Sequence, residues 1–169
     1  MKGGMTFFTI FISIFFAIGI GMLIFGLSSF FKGRAALSWS QATGEVTKCQ
    51  IEEDSDGEGT TWKVLVGYRY SVNGQEYTGD RLAFGYSANS TQDEHVAIHK
   101  KIRGADSIRI YYDPANPAKS VIAPGFNRGT FLILVFAATW LLFITGFTML
   151  WVSSSGEDTK ILDKIEVVE

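Results

Sequence analysis

The stretch VLVGYRYSVNGQEYTGD, residues 64–80, alternates apolar and polar side chains on both sides of an Asn-Gly pair. The apolar side chains recur at every second position, the period of a half-buried β-strand, at Val64, Val66, Tyr68, Tyr70 and Val72. Asn73 and Gly74 then predict a type I′ turn, because that turn needs a positive φ at both central residues. A hairpin with this turn sets Tyr70 opposite Tyr77 and so places both rings on the apolar face.

Strand patterns also lie before and after this hairpin. Residues 39–53, WSQATGEVTKCQIEE, predict a first strand, and the alternation in IRIYY, residues 108–112, predicts another. KSVIA, residues 119–123, predicts a last short strand. Four or five strands in a segment of this size predict a mainly β domain, either a small antiparallel sandwich or a partly open barrel.

One short helix is predicted between the hairpin and the late strands, within SANSTQDEHVAIHKKIRGAD, residues 87–106. Thr91 and Glu94 have the spacing of a capping box, and Gly104 follows a last turn that is rich in Lys and Arg. The segment between the hairpin and the late strands therefore adds one short helix to the β-domain.

A tight turn is predicted at DPANP, residues 113–117, between the last two strands. Asp113 occupies the first turn position, where its side chain can bond back to the backbone, and Pro114 presets φ for the second position of a type I turn. Pro117 pushes Asn116 out of the helical region. The segment is therefore predicted to end one strand, reverse the chain and start the last strand, which is a structural role without chemistry.

Two uncharged runs, residues 5–31 and 129–156, flank the predicted domain. Each exceeds the about 20 apolar residues that cross a bilayer, and the first is longer than the apolar core of a signal peptide. No A-x-A-like cleavage site follows it in FFKGRAALSWS. We therefore predict four segments: a transmembrane helix at residues 5–31, the β-domain at 33–127, a second transmembrane helix at 129–152 and a polar tail at 153–169.

The charged residues bear on the class of partner and on the orientation in the membrane. The formal net charge is −2, so nothing indicates a nucleic-acid partner. Lys and Arg residues are nearly balanced between the two sides of the predicted spans, although Lys2 before the first span favours a β-domain outside the cytoplasm. Cys49 is the single cysteine, which precludes an intrachain disulfide and fits either side of the membrane.

Residues 39–125 resemble the bacterial membrane proteins grouped as domain of unknown function 3592. The shared features are Trp39 with GEV at 44–46, VGYRYSVNGQEYTGDRL at 66–82 and, most specific, IRIYYDPANPAKSVI at 108–122. The resemblance implies a small β-domain between membrane helices in a bacterial inner membrane. It supplies no catalytic residues.

An acidic loop, DSDGEG at residues 54–59, has the 1, 3, 5 spacing of a calcium loop at Asp54, Asp56 and Glu58. The twelfth position is Leu65, where an EF-hand needs a bidentate Glu, and the flanking segments read as strands. These acids are therefore weak metal candidates, and a mobile acidic hairpin loop is the favoured interpretation.

Two histidines, His95 and His99, lie four residues apart on the predicted helix, a spacing that can chelate zinc. The residues between them contain no Glu that could act as a general base, and the chain has no third histidine. A solvent-facing helix is the favoured interpretation, with no metal and no cofactor. Cys49 has no identifiable partner base, so it is expected to pack in the first strand.

Small residues at Ser13, Ala17 and Gly21 recur every four positions in the first span and predict a close helix contact. The favoured contact is the second helix of the same chain, and a second protomer is the alternative. Neither span contains a charged residue, which argues against an ion or proton pathway.

These observations favour a non-enzymatic, multi-pass membrane protein that displays an extracytoplasmic β-domain. We expect an accessory, scaffold or binding component of a membrane assembly. Its partners would be the lipid bilayer and another membrane protein or further copies of itself. Two alternatives stay open: a toxin-immunity protein, and a small metal-dependent hydrolase that uses His95 and His99.

Overall fold

The computed structural model describes residues 2–57 and 59–162, with the side chains of residues 6–57 and 59–154. These residues form two compact units, one drawn from residues 2–25 and 132–162 and the other from residues 26–57 and 59–131. The described elements, in chain order, are α1 (Lys2–Ala36), β1 (Ser40–Asp56), β2 (Gly59–Val72), β3 (Gln75–Gly79), α2 (Gln92–Arg103), β4 (Ile108–Asp113), β5 (Asn116–Val121) and α3 (Arg128–Leu162).

The five strands form one antiparallel sheet in the order β3-β2-β1-β4-β5. Its edge strands β3 and β5 also contact each other. Just beyond them, the N–H of Ile122 donates to the Arg81 carbonyl at 3.2 Å and the N–H of Ala123 to the Leu82 carbonyl at 2.8 Å. The sheet is therefore a partly open barrel, one of the two predicted forms and an architecture that OB-folds also use.

The central hairpin has the predicted turn and register. Asn73 and Gly74 have φ values of 52° and 83°, as a type I′ turn requires. Tyr70 pairs with Tyr77, and their ring centroids lie 5.8 Å apart in a stacked arrangement. The late turn is also confirmed, because Asp113 pairs with Asn116 and its Oδ1 accepts the N–H of Ala115 at 3.0 Å.

The barrel interior is filled by six buried side chains, which are Val66, Tyr68, Tyr70, Leu82, Ile102 and Ile110. The Tyr68 hydroxyl donates to the Arg81 carbonyl at 3.2 Å and lies 3.1 Å from the Ser120 hydroxyl. The Tyr70 hydroxyl donates to the carbonyl of Pro117. The contacts with Ser120 and Pro117 join β2 to β5 across the interior, so they help to hold the sheet closed.

Strands β1 and β2 continue beyond the barrel as a two-stranded ribbon. In the described sheet, β4 pairs with Ser40–Gly44 and β3 pairs with Tyr68–Val72. Strands β1 and β2 pair with each other from Gly44 and Tyr70 out to Asp56 and Gly59. A register shift between Val46 and Lys48 marks the start of the ribbon. Helix α2 packs against both of its strands.

Helix α2 begins and ends differently from the prediction. Thr91 makes no side-chain capping bond, so the predicted capping box is wrong. Asn89 bonds its main chain to Trp62 at 2.9 and 3.1 Å and accepts the Thr91 N–H on its own side chain at 2.7 Å. Gly104 has φ −85°, a value open to any residue, so the helix end does not require glycine there.

The first unit contains most of both long helices, which are apolar and long enough to cross a membrane over Thr6–Ala36 and Arg128–Ser154. Helices α1 and α3 are both longer than the predicted transmembrane helices at residues 5–31 and 129–152. Helix α3 continues to Leu162, so residues 153–162 of the predicted polar tail are helical. Residues 163–169 of that tail lie outside the described residues.

Helix α1 packs on α3 through a face other than the predicted one. Ser13, Ala17 and Gly21 are exposed, and a Cβ added at Gly21 would meet nothing within 4 Å. Gly19 is buried instead, and a Cβ there would lie 2.6 Å from Leu141 Cδ2. The predicted contact of the small-residue stripe with the second helix is therefore wrong; a contact with a second protomer stays a prediction.

The indole of Trp140 explains which face of α1 packs on α3. Its Nε1 donates to the Phe15 carbonyl at 3.1 Å, and the two rings stack with centroids 5.5 Å apart. Gly19 makes room for this side chain, since an added Cβ would lie 2.9 Å from Trp140 Cδ1. Two residues correspond to about 200° around a helix, so Gly19 lies on the side opposite Ala17 and Gly21.

Candidate functional site

The ends of α1 and α3 are built into the β-domain. The N–H of Gly125 donates to the Gly33 carbonyl at 2.9 Å. Gly125 has φ +100°, which L side chains rarely adopt, and a Cβ at Gly33 would strike the Gly125 carbonyl oxygen. Both glycines are therefore needed for this close approach between α1 and the segment that enters α3.

The first turn of α3 is fixed to the loop that follows β3. Asn127 caps the helix, because its Oδ1 accepts the Thr130 N–H at 2.9 Å, and its Nδ2 donates to the Phe84 carbonyl. The Thr130 hydroxyl, on a side chain that is 1% exposed, lies 3.4 Å from the same carbonyl. Gly85 adopts φ +73° beside it.

An apolar cluster completes this contact. Ala36 at the end of α1 and Val121 at the end of β5 are fully buried, and Phe84 packs between them with Trp39 and Tyr111 at its edge. We call the bonds of Gly33, Gly125, Asn127 and Thr130 together with this cluster the helix junction. The predicted domain, residues 33–127, therefore extends into both helices, and residues 26–131 form one compact unit.

The predicted acidic loop, residues 54–59, lies partly in strands at both of its ends. The strands run on to Asp56 and Gly59, and the Gly59 N–H donates to Asp56 Oδ1 at 3.1 Å. Asp54 lies in β1 and is exposed, and Glu58 lies outside the described residues. Asp56 therefore has a structural role in the turn, and among the described residues no three acids come close enough to hold one ion.

His95 is fully buried, so the prediction of a solvent-facing pair of histidines is wrong for this residue. Its Nδ1 lies 2.7 Å from the Tyr86 hydroxyl, and that hydroxyl accepts the Val64 N–H at 2.9 Å. The tyrosine oxygen accepts from Val64, and its own proton remains available for a bond to Nδ1 of His95. His95 thus ties α2 to β2.

A sequence signal for this burial exists. His95 precedes Ile98 and Ile102 by three and seven residues, which places the three side chains on one helix face. The sequence does not predict the role of Tyr86, because nothing local in FGYSANS, residues 84–90, indicates which long-range partner its hydroxyl contacts. His95 Nε2 and Trp62 Nε1 are buried and bond to no group in the described part of the chain.

The histidine pair does not form a metal centre with other described residues. Among these residues, no three His, Cys, Asp or Glu side chains come close enough to hold one ion. His99 is half-buried, and its main-chain carbonyl lies 3.9 Å from the Cys49 Sγ. The geometry therefore does not favour the hydrolase alternative.

Cys49 lies in β1 beside a groove of about 460 Å³ that Arg103 also lines. Burial raises the pKa of the Cys49 thiol, and the positive charge of Arg103 offsets this in part. The thiolate is the nucleophilic form, so the raised pKa disfavours covalent chemistry at this position. The prediction that Cys49 packs in the first strand agrees with its half-buried position there.

Comparison with known proteins places the β-domain in a family. A family model described as domain of unknown function (DUF3592) matches residues 42–127, from β1 to the residue before α3. No curated protein matches the chain. The matched segment contains the barrel except for Ser40 and Gln41 at the start of β1, together with α2 and the Gly125 and Asn127 side of the helix junction. The chain therefore belongs to the DUF3592 family of domains of unknown function.

Proposed function

We propose that this chain is a non-enzymatic two-span membrane protein whose β-domain serves as an accessory, scaffold or binding component of a membrane assembly. The partner is another membrane protein or a further copy of this chain. We place the protein in a bacterial inner membrane with the domain outside the cytoplasm, an orientation supported by Lys2 before the first span.

The helix junction is the observation that carries this proposal. A domain that needs only an anchor can hang from a flexible linker. Here Gly125 bonds to Gly33 main chain to main chain, and Asn127 ties the first turn of α3 to the loop after β3. A domain held at both helix ends presents its surface in one fixed orientation to those ends, which suits a component that docks onto a membrane partner.

The use of the polar side chains supports a non-enzymatic role. The hydroxyls of Tyr68, Tyr70 and Tyr86 bond to main-chain groups that hold strands together or join α2 to β2. Burial raises the pKa of the Cys49 thiol, which favours the protonated form over the nucleophilic thiolate. These three tyrosine hydroxyls thus stabilise the fold.

Photo-crosslinking in cells tests the proposal. A photoreactive residue is placed, one position at a time, at exposed sites on separate elements: Thr78 on β3, Lys101 on α2 and Lys119 on β5. We expect one discrete adduct from one side of the domain, and twice the 18.7 kDa chain mass would identify a second copy. If the photoreactive residue is incorporated at every tested position and none gives a discrete adduct, the proposal is wrong.

A junction variant tests whether the fixed attachment matters. Gly33→Val forces a side chain against the Gly125 carbonyl, whereas Ala35→Val adds a similar side chain at an exposed position of the same helix. We expect Gly33→Val to lose the adduct while staying in the membrane fraction, and Ala35→Val to keep it. Equal crosslinking by both variants would show that the junction does not orient the domain for a partner.

A further inference from the structure

Three exposed cations lie where the chain passes between its uncharged runs and the β-domain. Lys32 and Arg34 follow the first run directly on α1, and Arg128 precedes the second run at the start of α3. None of the three forms an ion pair with a carboxylate among the described residues, where the ion pair found joins Arg69 to Glu45. Their charge is therefore available to an external anion.

The two chain segments that carry these cations are bonded to each other. The Gly33–Gly125 bond holds the end of α1 beside the entry to α3, and the rings of Phe30 and Phe126 meet edge to face with centroids 5.5 Å apart. Phe126 also contacts Phe131, with centroids 6.2 Å apart. The segments that carry Lys32, Arg34 and Arg128 are thus fixed side by side within the unit of residues 26–131.

Exposed aromatic rings lie among the cations. Phe31 is 62% exposed, and Phe126 and Phe131 are each 52% exposed. On α1, Lys32 and Arg34 lie on either side of Phe31, at about 100° in one direction and about 60° in the other. Aromatic rings mixed with basic side chains at the end of an apolar helix are typical of the headgroup level of a bilayer.

We infer that this surface, the headgroup collar formed by Lys32, Arg34, Arg128, Phe31, Phe126 and Phe131, binds anionic phospholipid headgroups. The rings enter the boundary between headgroups and acyl chains, and the three cations meet lipid phosphates. Charge complementarity selects this occupant, since three cations without an ion-pair partner among the described residues attract the phosphates of anionic lipids in the leaflet that they face. The inference rests on the membrane-spanning part of the proposed function, and it needs no protein partner.

Native mass spectrometry of the full chain tests the collar. The chain is released from nanodiscs of equimolar phosphatidylglycerol and phosphatidylcholine, and the retained lipids are identified. We expect phosphatidylglycerol to be enriched at least about fivefold, the effect of one basic residue at an anionic surface. Raising the ionic strength before release should reduce the enrichment, because salt screens exposed charges. Equal retention of both lipids by the unmodified chain would overturn the inference.

A triple variant and a charge-matched control locate the effect. Lys32→Gln, Arg34→Gln and Arg128→Gln together should abolish the enrichment, whereas Lys48→Gln, Lys100→Gln and Lys101→Gln, at exposed sites on β1 and α2, should preserve it. Enrichment that survives in the first variant, or is lost equally in the second, would contradict the collar. A chain that does not enter nanodiscs at all would instead refute the membrane-spanning proposal.

Discussion

The Tyr86 hydroxyl lies 2.7 Å from Nδ1 of the fully buried His95 and also accepts the main-chain N–H of Val64. One hydroxyl thus joins the segment before α2, the helix itself and strand β2. The His95 side chain is buried, and the Val64 N–H lies in strand β2. Neither group can therefore readily replace this hydrogen bond with one to water. The position of α2 on the ribbon depends on this contact.

Tyr86→Phe should lower the free energy of unfolding by about 1–3 kcal/mol, because the Val64 N–H and His95 Nδ1 lose their partner in a buried setting. Tyr77→Phe is the matched control, since its ring stacks on Tyr70 but no described bond uses its hydroxyl. That variant should stay within about 0.5 kcal/mol of the parent. Chemical denaturation of the intact chain in detergent measures both, and equal stabilities would refute the bridging role.

Gly44→Ala should destabilise the barrel by about 1–3 kcal/mol through overpacking. A Cβ at Gly44 would lie 2.6 Å from Ile110 Cγ1, and Ile110 is fully buried. Gly57→Ala is the control, because a Cβ there meets nothing within 4 Å. If thermal unfolding shows no difference between the two variants, the close approach of β1 and β4 is wrong.

Asp113→Ala should cost about 1 kcal/mol, the net value of one hydrogen bond, because Asp113 Oδ1 accepts the Ala115 N–H at 3.0 Å. Pro114→Ala should cost less than this, because it acts only by giving the unfolded chain more freedom. Pro114→Gly should cost more than Pro114→Ala, because glycine gives the unfolded chain still more freedom. Asp106→Ala, at an exposed site without a described bond, should be neutral. Unfolding midpoints rank the series. An Asp113→Ala chain that melts like the parent yet loses its crosslinked adduct would make the turn a binding site.

Stability should fall above about pH 10, where tyrosines ionise in the unfolded chain. Burial raises the pKa of Tyr68, Tyr70 and Tyr86, so the folded state favours the protonated phenol. The stabilisation is fully present below the unfolded pKa and is lost as pH rises through the folded values. Phenolate absorbance should therefore rise at higher pH in the folded chain than in denaturant, and superimposable titrations would refute the burial of these groups.

Local patterns determined what the sequence could predict. The Asn73–Gly74 hairpin, the Tyr70–Tyr77 pair and the Asp113–Asn116 turn depend on neighbours within a few residues, and all three have the predicted geometry. Membership of the DUF3592 family was likewise readable from the motifs on these strands.

Long-range packing explains what the sequence did not predict. Helix α1 contacts α3 through Gly19 and not through the predicted face that contains Ala17. The Trp140 side chain of α3 needs the space that a glycine leaves at position 19. The burial of His95 depends on Tyr86, and the helix junction joins residues as distant as Gly33 and Gly125. No single-segment pattern encodes such pairs, although the spacing of His95 from Ile98 and Ile102 indicated its face.

Alkaline carbonate washing of membranes from expressing cells tests the central claim most directly, which is that both long helices span a bilayer and hold the β-domain there. The spans Thr6–Ala36 and Arg128–Ser154 bury enough apolar surface in lipid to resist a treatment that strips peripheral proteins. The account predicts that the full chain stays in the membrane pellet. Release of the chain into the supernatant would contradict it.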